Sequence, residues 1–353
     1  MSLASLRIKD LRCIAEAELQ LGPHVNLIHG PNGSGKTSIL EAAFLAGRGR
    51  SFRSRVTETL ISRGKEALEV FARTVAPDHA IGYEYRRENG YTARMDGADV
   101  RSLAELPSAW FVEVIDPQVH RLVDGPPSER RAWLDWGVFH VEHHFLESWF
   151  RFSRALRQRN AALKQGQGGG EWTAELALHG EQVAAARSAW FKSMQPLLEE
   201  TITHLAGLPV EASYYRGWGA DRSLAEAIAD AAVRDRERGT TSAGPQRADV
   251  HLRIGGRAAR DSLSRGQQKL VAAAMVLTVM KRLRSERREP PTLLLDDPAA
   301  ELDADRLGVV VELVRSLDCQ LVITALDPTL QPFGRPEHVF HVEQGRVSAD
   351  PGG

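Results

Sequence analysis

The stretch Gly30-Pro31-Asn32-Gly33-Ser34-Gly35-Lys36-Thr37 constrains this chain more than any other. It follows the apolar run Val25-Asn26-Leu27-Ile28-His29 and leads into residues 37 to 47, where Ile39, Leu40, Ala43, Phe44 and Gly47 recur at helical spacing. A buried strand, a loop of the pattern G-x-x-x-x-G-K-[ST] and a helix, in that order, make a phosphate cradle. The glycines let successive N–H groups point inward, and the helix N-terminus adds positive potential. Lys36 is expected on the terminal phosphates, with a catalytic role, and Thr37 on Mg²⁺. The loop therefore predicts the phosphates of a nucleotide together with Mg²⁺, held by Gly30, Pro31, Asn32, Gly33, Ser34, Gly35, Lys36 and Thr37. A dinucleotide site needs an acidic residue about 20 positions on. Arg50, Phe52 and Arg53 stand there instead. Gly47 is the expected helix C-cap.

A second acidic element lies near the other end, where Thr292-Leu293-Leu294-Leu295 runs into Asp296-Asp297-Pro298. A hard cation takes oxygen ligands, so Asp296 is expected on Mg²⁺. Asp297, one residue further, is placed to orient or activate the attacking water. The following Glu301-Leu302-Asp303 reads equally as a helix-start acid cluster and as a contact loop between subunits. Shortly before this strand stands Asp261-Ser262-Leu263-Ser264-Arg265-Gly266-Gln267-Gln268-Lys269, in which Ser264 and Gln267 have the spacing of a capping box at a helix start.

Between these motifs the patterning changes twice. Residues 3 to 29 read as short strands, and Leu68 to Met95 alternates with Asn89-Gly90 and Asp96-Gly97 turn signals, the mark of antiparallel hairpins. At Asp124-Gly125-Pro126-Pro127 a turn begins, with Ser128 the expected helix N-cap, and helical composition then runs to about Arg238. Strand signals return at Val250 to Ile254, Thr292 to Leu295 and Gln320 to Thr324. The predicted organisation is an α/β head formed by residues 1–124 and 243–353, a mixed sheet with flanking helices and an antiparallel β subregion, interrupted by a helical arm at 125–242. With 42% apolar and 26% charged residues the chain is globular. Its net charge of −1 supplies no global field for a polyanion, so any such binding must come from local patches. Cys13 and Cys319 lack metal-ligand spacing, and the charged N-terminus has no apolar core of a signal peptide. A cytoplasmic protein without a membrane partner is expected.

The phosphate loop, LSRGQQK and LLLDDPAAELD, in that order, resemble the ATP-binding heads of the ABC and SMC superfamily. In those heads a serine-glycine signature turn faces the γ-phosphate held by another subunit. The insertion falls before the signature, as in SMC-type heads, but lacks the heptads of a long coiled coil. Within the superfamily the chain is similar to the RecF family of bacterial recombination-mediator ATPases. That likeness runs through LRIKDLRCIAEAELQLGPHVNLIHGPNGSGKTSILEA, GRGRSFRS, GPPSERRAWLDWGVFH, LRQRNAALK and GPQRADVHLRI. The resemblance implies an ABC-type ATPase head with a compact helical arm. It also implies an ATP-dependent homodimer that binds gapped or junction DNA without sequence preference and works with RecR and RecO to load the RecA recombinase. Ser264, Arg265, Gly266 and Gln267 become nucleotide-binding residues, and Ser264, Gly266 and Asp303 dimer contacts. Since Lys36 already engages this chain's own phosphates, the economical ligand for the signature turn is the γ-phosphate on a second copy. Gln118 matches a glutamine that many such heads place near Mg²⁺. Two departures predict slow hydrolysis: Thr324 stands where these ATPases often have a switch histidine, and Asp297 where transporters have glutamate.

Arg151, Arg154 and Arg157 recur every third residue and fall on one arc of a helix, where they track phosphates of DNA or form a solvated face. Arg48, Arg50, Arg53 and Arg55 surround Phe52 after the phosphate-loop helix and serve nucleotide, DNA or plain surface equally well. Lys281, Arg282, Arg284, Arg287 and Arg288 read as a solvated loop. His140 and His144 lack the H-E-x-x-H order and sit among Trp136, Phe139, Phe145 and Trp149, which reads as core packing. A small-molecule kinase would leave LSRGQQK without a role, and a transporter ATPase subunit would not carry its insertion before the signature.

Overall fold

The computed structural model describes residues 2–142, 144–286, 290–298, 304–328 and 333–350. It divides into two compact units, one formed by residues 1–119 and 280–353, the other by 120–279.

In the first unit a six-stranded mixed sheet runs in the order Arg346–Ala349, His338–Glu343, Val25–His29, Gln320–Ala325, Thr292–Asp296, Val112–Ile115. Its central strands are parallel, with Thr324 opposite both Ile28 and Asp296. Thr292–Asp296 and Gln320–Ala325 are buried at every position. Parallel strands covered on both faces need such continuous apolar runs. A second six-stranded sheet is antiparallel, in the order Ile14–Gln20, Ser2–Leu11, Ala67–Val75, His79–Arg86, Gly90–Met95, Ala98–Asp99. From Leu68 to Val75 burial alternates strictly, so one face meets the core and the other meets water.

The helix Lys36–Arg48 belongs to a single core with residues of both sheets. Ile39, Leu40, Ala43 and Phe44 share that cluster with Leu6, Ile8, Val70 and Ala72 from one sheet and with Leu294 and Val322 from the other. The helix ends two residues later than its pattern suggests, because Gly49, at φ 66°, takes the left-handed C-cap. Gly47 is instead an interior packing position, where a Cβ would stand 2.4 Å from Val112 Cγ1. The strands His338–Glu343 and Arg346–Ala349 and the helix Ala304–Ser316 complete this unit.

The second unit is mostly helical: Pro127–Val141, Phe145–Lys164, Thr173–Ala206 and the short pair Leu224–Asp230 and Ala232–Arg238. It also holds a small antiparallel sheet in which Asp249–Ile254 pairs with Glu211–Tyr215 and with Arg257–Ala258. The compact unit is therefore wider than the arm expected at 125–242. Residues 120–124 and 243–279 group with the helices for two physical reasons. Glu211–Tyr215 is a strand that recruits Asp249–Ile254. In addition, the Arg130 guanidinium in the first long helix holds the Asp249 carboxylate in two hydrogen bonds of 2.7 and 3.0 Å. The division falls within the helix Arg265–Glu286, between Val279 and Met280.

Ser128 does not cap the helix that follows the Gly-Pro-Pro turn. The helix begins at Pro127, with Pro126 as a cap that offers no side-chain bond. Proline at the first helical position has its φ already set and lacks an N–H that would go unpaired there. The Ser223 to Glu226 pair, by contrast, closes a full capping box before Leu224–Asp230.

Where the helices Pro127–Val141 and Thr173–Ala206 meet, Gly137 makes room for Trp190: a Cβ on Gly137 would lie 1.9 Å from Trp190 Cζ2. Trp190 is itself wedged edge-on against Trp133, with ring centroids 5.9 Å apart. Gly137→Val should cost about 1–3 kcal/mol by overpacking, more than the few tenths gained in helix propensity. A thermal melt of the variant, compared with wild type, checks this.

Candidate functional site

The phosphate loop closes through contacts that only its sequence allows. Gly30, at φ 149°, has its Cα side pressed on the neighbouring strand, so that a Cβ would meet the Val342 carbonyl oxygen at 2.1 Å. Gly35 is the N-cap of the following helix in a left-handed conformation, with no side chain over the first turn. The first N–H groups of that helix are thus left for a ligand, which is the arrangement an anion requires. Ser34 Oγ is buried and has no hydrogen-bond partner among the described residues. Lys36 donates from Nζ to the carbonyls of Gly30, at 2.8 Å, and Pro31, at 3.0 Å. An ammonium has three protons to donate, so one remains for a phosphate oxygen. Burial lowers the Lys36 amine below its ordinary value, while Asp297 and Asp296 work against that shift.

The Asp296 carboxylate lies directly beside this loop. Thr37 Oγ1 donates to it, at 2.9 Å from Oδ1 and 3.0 Å from Oδ2. Thr324, near the end of the strand between Val25–His29 and Thr292–Asp296, donates to Asp296 Oδ1 at 2.8 Å and accepts from the Asp297 N–H at 3.0 Å. The residue at the switch position is therefore buried and bonded to both aspartates, and does not reach toward water. Asp297 itself has φ 49°, a left-handed backbone that aspartate tolerates better than most residues and that recurs at functional sites.

Thr37, Asp296, Lys36 and Asp297 line one open cavity of about 650 Å³, together with Arg12 and Arg53. Of the four arginines around Phe52, Arg53 is thus the one at the cavity. Arg48 is not: its side chain is only 6% exposed and pairs with Glu113 at 2.7 Å. Burial pulls the Arg48 guanidinium down to about 10 in spite of that partner. Arg12 escapes a reading of motifs altogether. It sits at φ 56° in the turn between the first two strands and donates from Nε and Nη2 to the fully buried Glu41, at 2.7 and 2.9 Å. Asp116 also escapes: its carboxyl is pushed up to about 6, first by burial and then by the charge of Asp296. Gln118, two residues further along the same turn, is exposed and is not among the residues lining the cavity.

Oxygen donors converge here from Thr37 and Asp296, with Asp116 close by, a donor set that suits a hard divalent cation. Mg²⁺ bound at this point would neutralise charge on the phosphates beside it.

The signature turn lies in the second unit. Ser264 N–H donates to Gln267 Oε1 at 2.9 Å, and Gln267 N–H donates to Ser264 Oγ at 3.3 Å, so the capping box forms as the spacing predicts. Ser264 and Arg265 are exposed and Gly266 and Gln267 partly so. The Gln268 amide fastens the preceding turn by donating to the carbonyls of Arg260 and Leu263. Arg151, Arg154 and Arg157 are on the helix Phe145–Lys164, where Phe152, Ala155 and Arg159 are buried; Arg151, Arg154 and Arg157 are all exposed. Asp303 lies outside the described residues, as do Glu301, Leu302, Arg287 and Arg288. His140 is buried and packs edge-on against Trp136, with centroids 4.1 Å apart. Among the described residues no three or more His, Cys, Asp or Glu side chains converge in a way that could hold a metal ion. Nor is any helix among them long and apolar enough to cross a membrane.

Residues 2–348 match the family model of RecF, RecN and SMC N-terminal domains. The chain is 39% identical over 360 residues to the DNA replication and repair protein RecF of Pseudomonas aeruginosa PAO1, covering 99% of this chain and 98% of the relative. The same identity holds for RecF of Stutzerimonas stutzeri, with 99% and 97% covered. Among solved structures, the recombination mediator protein RecF with ATP in the RecFOR pathway superposes with a TM-score of 0.89 at 23% identity, covering 99% of this chain and 97% of that one. An Smc head bound to the C-terminal winged-helix domain of ScpA gives 0.59 at 13% identity, with 99% and 97% covered. The fold is accordingly that of an ABC/SMC-type ATPase head with a helical arm.

Cys13 is exposed and lines the phosphate cavity, whereas burial pushes the Cys319 thiol up to about 12. Only the thiolate reacts. Iodoacetamide at pH 8 should therefore label Cys13 alone in the native protein, and ATP with Mg²⁺ should slow that labelling, as read by peptide mass spectrometry. Unchanged labelling at saturating nucleotide would remove ATP from this cavity.

Proposed function

The chain belongs to the RecF/RecN/SMC N-terminal-domain family, and from that premise we propose that it is an ATP-gated DNA clamp of recombinational repair and replication-fork maintenance. The observation that carries the proposal is the Thr37 hydroxyl at 2.9 Å from the Asp296 carboxylate, beside a phosphate loop whose N–H groups and Lys36 face one cavity. Two motifs far apart in sequence meet there as nucleotide and metal chemistry requires.

ATP bound in the loop of one copy presents its γ-phosphate to the signature turn, Ser264 to Gln267, of a second copy, and the two heads close as a homodimer on gapped or junction DNA. Ser264, Gly266 and Asp303 form the dimer contact. Asp297 orients water for hydrolysis, which opens the dimer. The shorter side chain and the absence of a switch histidine make that step slow, because Thr324 is already committed to both aspartates. Binding is the output and hydrolysis the reset. Arg151, Arg154 and Arg157 contact DNA phosphates without reading sequence. RecO and RecR are the partners, in the cytoplasm, and recombinase loading is the result. Relatives that are DNA replication and repair proteins, and a structural neighbour that acts in the RecFOR pathway, support this reading.

Molar mass measured by light scattering, with and without ATP and Mg²⁺, tests the clamp directly. The mass should double with ATP, and gapped DNA should stimulate hydrolysis that stays below about 1 per second in single turnover. A monomer under every condition sinks the proposal. Lys36→Ala should lose nucleotide, while Ser264→Ala should keep nucleotide and lose dimerisation.

Changing Arg151, Arg154 and Arg157 to glutamine should weaken DNA binding about equally across sequences. It should also flatten the dependence of log affinity on log salt, by up to about 0.9 for each DNA phosphate that is no longer neutralised. An unchanged slope would assign these arginines to a solvated face.

A further inference from the structure

The first turn of the signature helix carries an unusual charge balance. Its residues Arg265, Gly266, Gln267, Gln268 and Lys269 include two cations and no acid. Helix N-termini favour negative charge, so a guanidinium at the first helical position is in the wrong electrostatic place unless an anion comes to it. In the structure that anion is Asp124: Arg265 Nη1 donates to Asp124 Oδ2 at 2.6 Å. The Arg265 side chain is 62% exposed and that of Asp124 30%, so the pair is open to exchange with a ligand.

Asp124 is not there by the chance of a loose loop. It ends the short helix Arg121–Asp124, whose carbonyls are gathered by one guanidinium. Arg130 Nη1 donates to the carbonyls of Leu122, Val123 and Gly125, at 3.4, 3.3 and 2.9 Å. Arg130 is only 6% exposed, and its Nε and Nη2 are locked on Asp249. The backbone that presents Asp124 is thus clamped, while the ion pair it makes is exposed and weak.

We propose that Asp124 is a resident stand-in for the triphosphate. It neutralises and orients Arg265 in the resting chain and yields it when the γ-phosphate of a second copy reaches the signature turn. A phosphate carries more charge than a carboxylate and accepts from the same fork of donors. The exchange sets the nucleotide concentration at which two copies join, so that Asp124 opposes closure and Arg265 supports it. This inference rests on the signature turn meeting a triphosphate in the dimer.

The test is a double-mutant cycle on ATP-dependent dimerisation, with Ser264→Ala as the control for the underlying reading. Asp124→Asn should lower the ATP concentration for half-maximal dimer by about two- to five-fold, the range of an exposed ion pair. The gain should shrink as salt is raised and vanish in an Arg265→Ala background, and Asp124→Glu should behave as wild type. If Asp124→Asn shifts dimerisation equally with and without Arg265, or fails to shift it while Ser264→Ala abolishes dimerisation, the stand-in role is overturned. If Ser264→Ala dimerises normally, the trans reading of the signature has failed instead. Nucleotide binding by the monomer should stay at the wild-type level in Asp124→Asn, which separates this role from a disturbed fold.

Discussion

Everything at the nucleotide site depends on three neighbouring strand ends finishing level. Val25–His29, Gln320–Ala325 and Thr292–Asp296 lie side by side in parallel, and Thr324, in the middle strand, is the bridge. Its hydroxyl can bond both aspartates only because Thr324 is in register with Asp296 on one side and with Ile28 on the other. A slip of one residue would turn every side chain on one strand to the opposite face and carry Asp296 away from Thr37. The register is held by the buried Asn26, whose amide donates to the Leu321 carbonyl of the middle strand at 3.2 Å, and by the Thr324 bonds to both aspartates. Core packing and site geometry are one constraint here.

The helical unit is organised on a different principle, by buried arginine–aspartate pairs between elements far apart in sequence. Arg130 holds Asp249, Arg187 holds Asp135 at 2.6 and 2.8 Å, and Arg159 donates to Asp235 at 2.9 Å and to Thr241 at 2.6 Å. Such pairs repay their desolvation only when geometry and extra hydrogen bonds are good, so they add less to stability than to the choice of one arrangement. Each of these guanidiniums does take further acceptors, for example the Pro245 carbonyl at Arg187. Removing one partner would leave an uncompensated buried charge, which explains why an irregular set of helices can hold an arginine stripe and a signature turn in fixed shape.

The contrast between what the sequence shows and what it conceals follows from the range of the interactions. The phosphate loop, the Asp296 strand and the Ser264 to Gln267 box are local patterns, and local physics reproduces them. Gly47 and Ser128 fail as caps for a local reason too: Gly49 takes the left-handed C-cap two residues on, and Pro127 starts its helix one residue before Ser128. Arg12 and Asp116 cannot be found that way. Arg12 is placed by a buried Glu41 in the phosphate-loop helix, and Asp116 by the end of the strand next to Thr292–Asp296. Glu211–Tyr215 is hidden because a five-residue strand with one buried position does not stand out from the helical composition around it until its partner is known. His338–Glu343 and Arg346–Ala349 are concealed by short length and mixed polarity, although one of them covers the edge of the strand that carries the loop.

The chain's near-neutral net charge acquires a physical meaning at the site itself. Lys36, Arg12 and Arg53 line the cavity together with Asp296 and Asp297, and Asp116 lies near enough to Asp296 to feel its charge. Neither a bare triphosphate nor a bare divalent cation suits such a site, because each meets like charge on one side. A metal–nucleotide complex meets opposite charge on both. Glu41 sharpens the discrimination by taking two of the Arg12 donors, so that Arg12 contributes direction more than free charge. A site balanced in this way suits a metal–nucleotide complex better than either alone, which is the property the proposed switch needs if stray phosphate or free cation is not to close it.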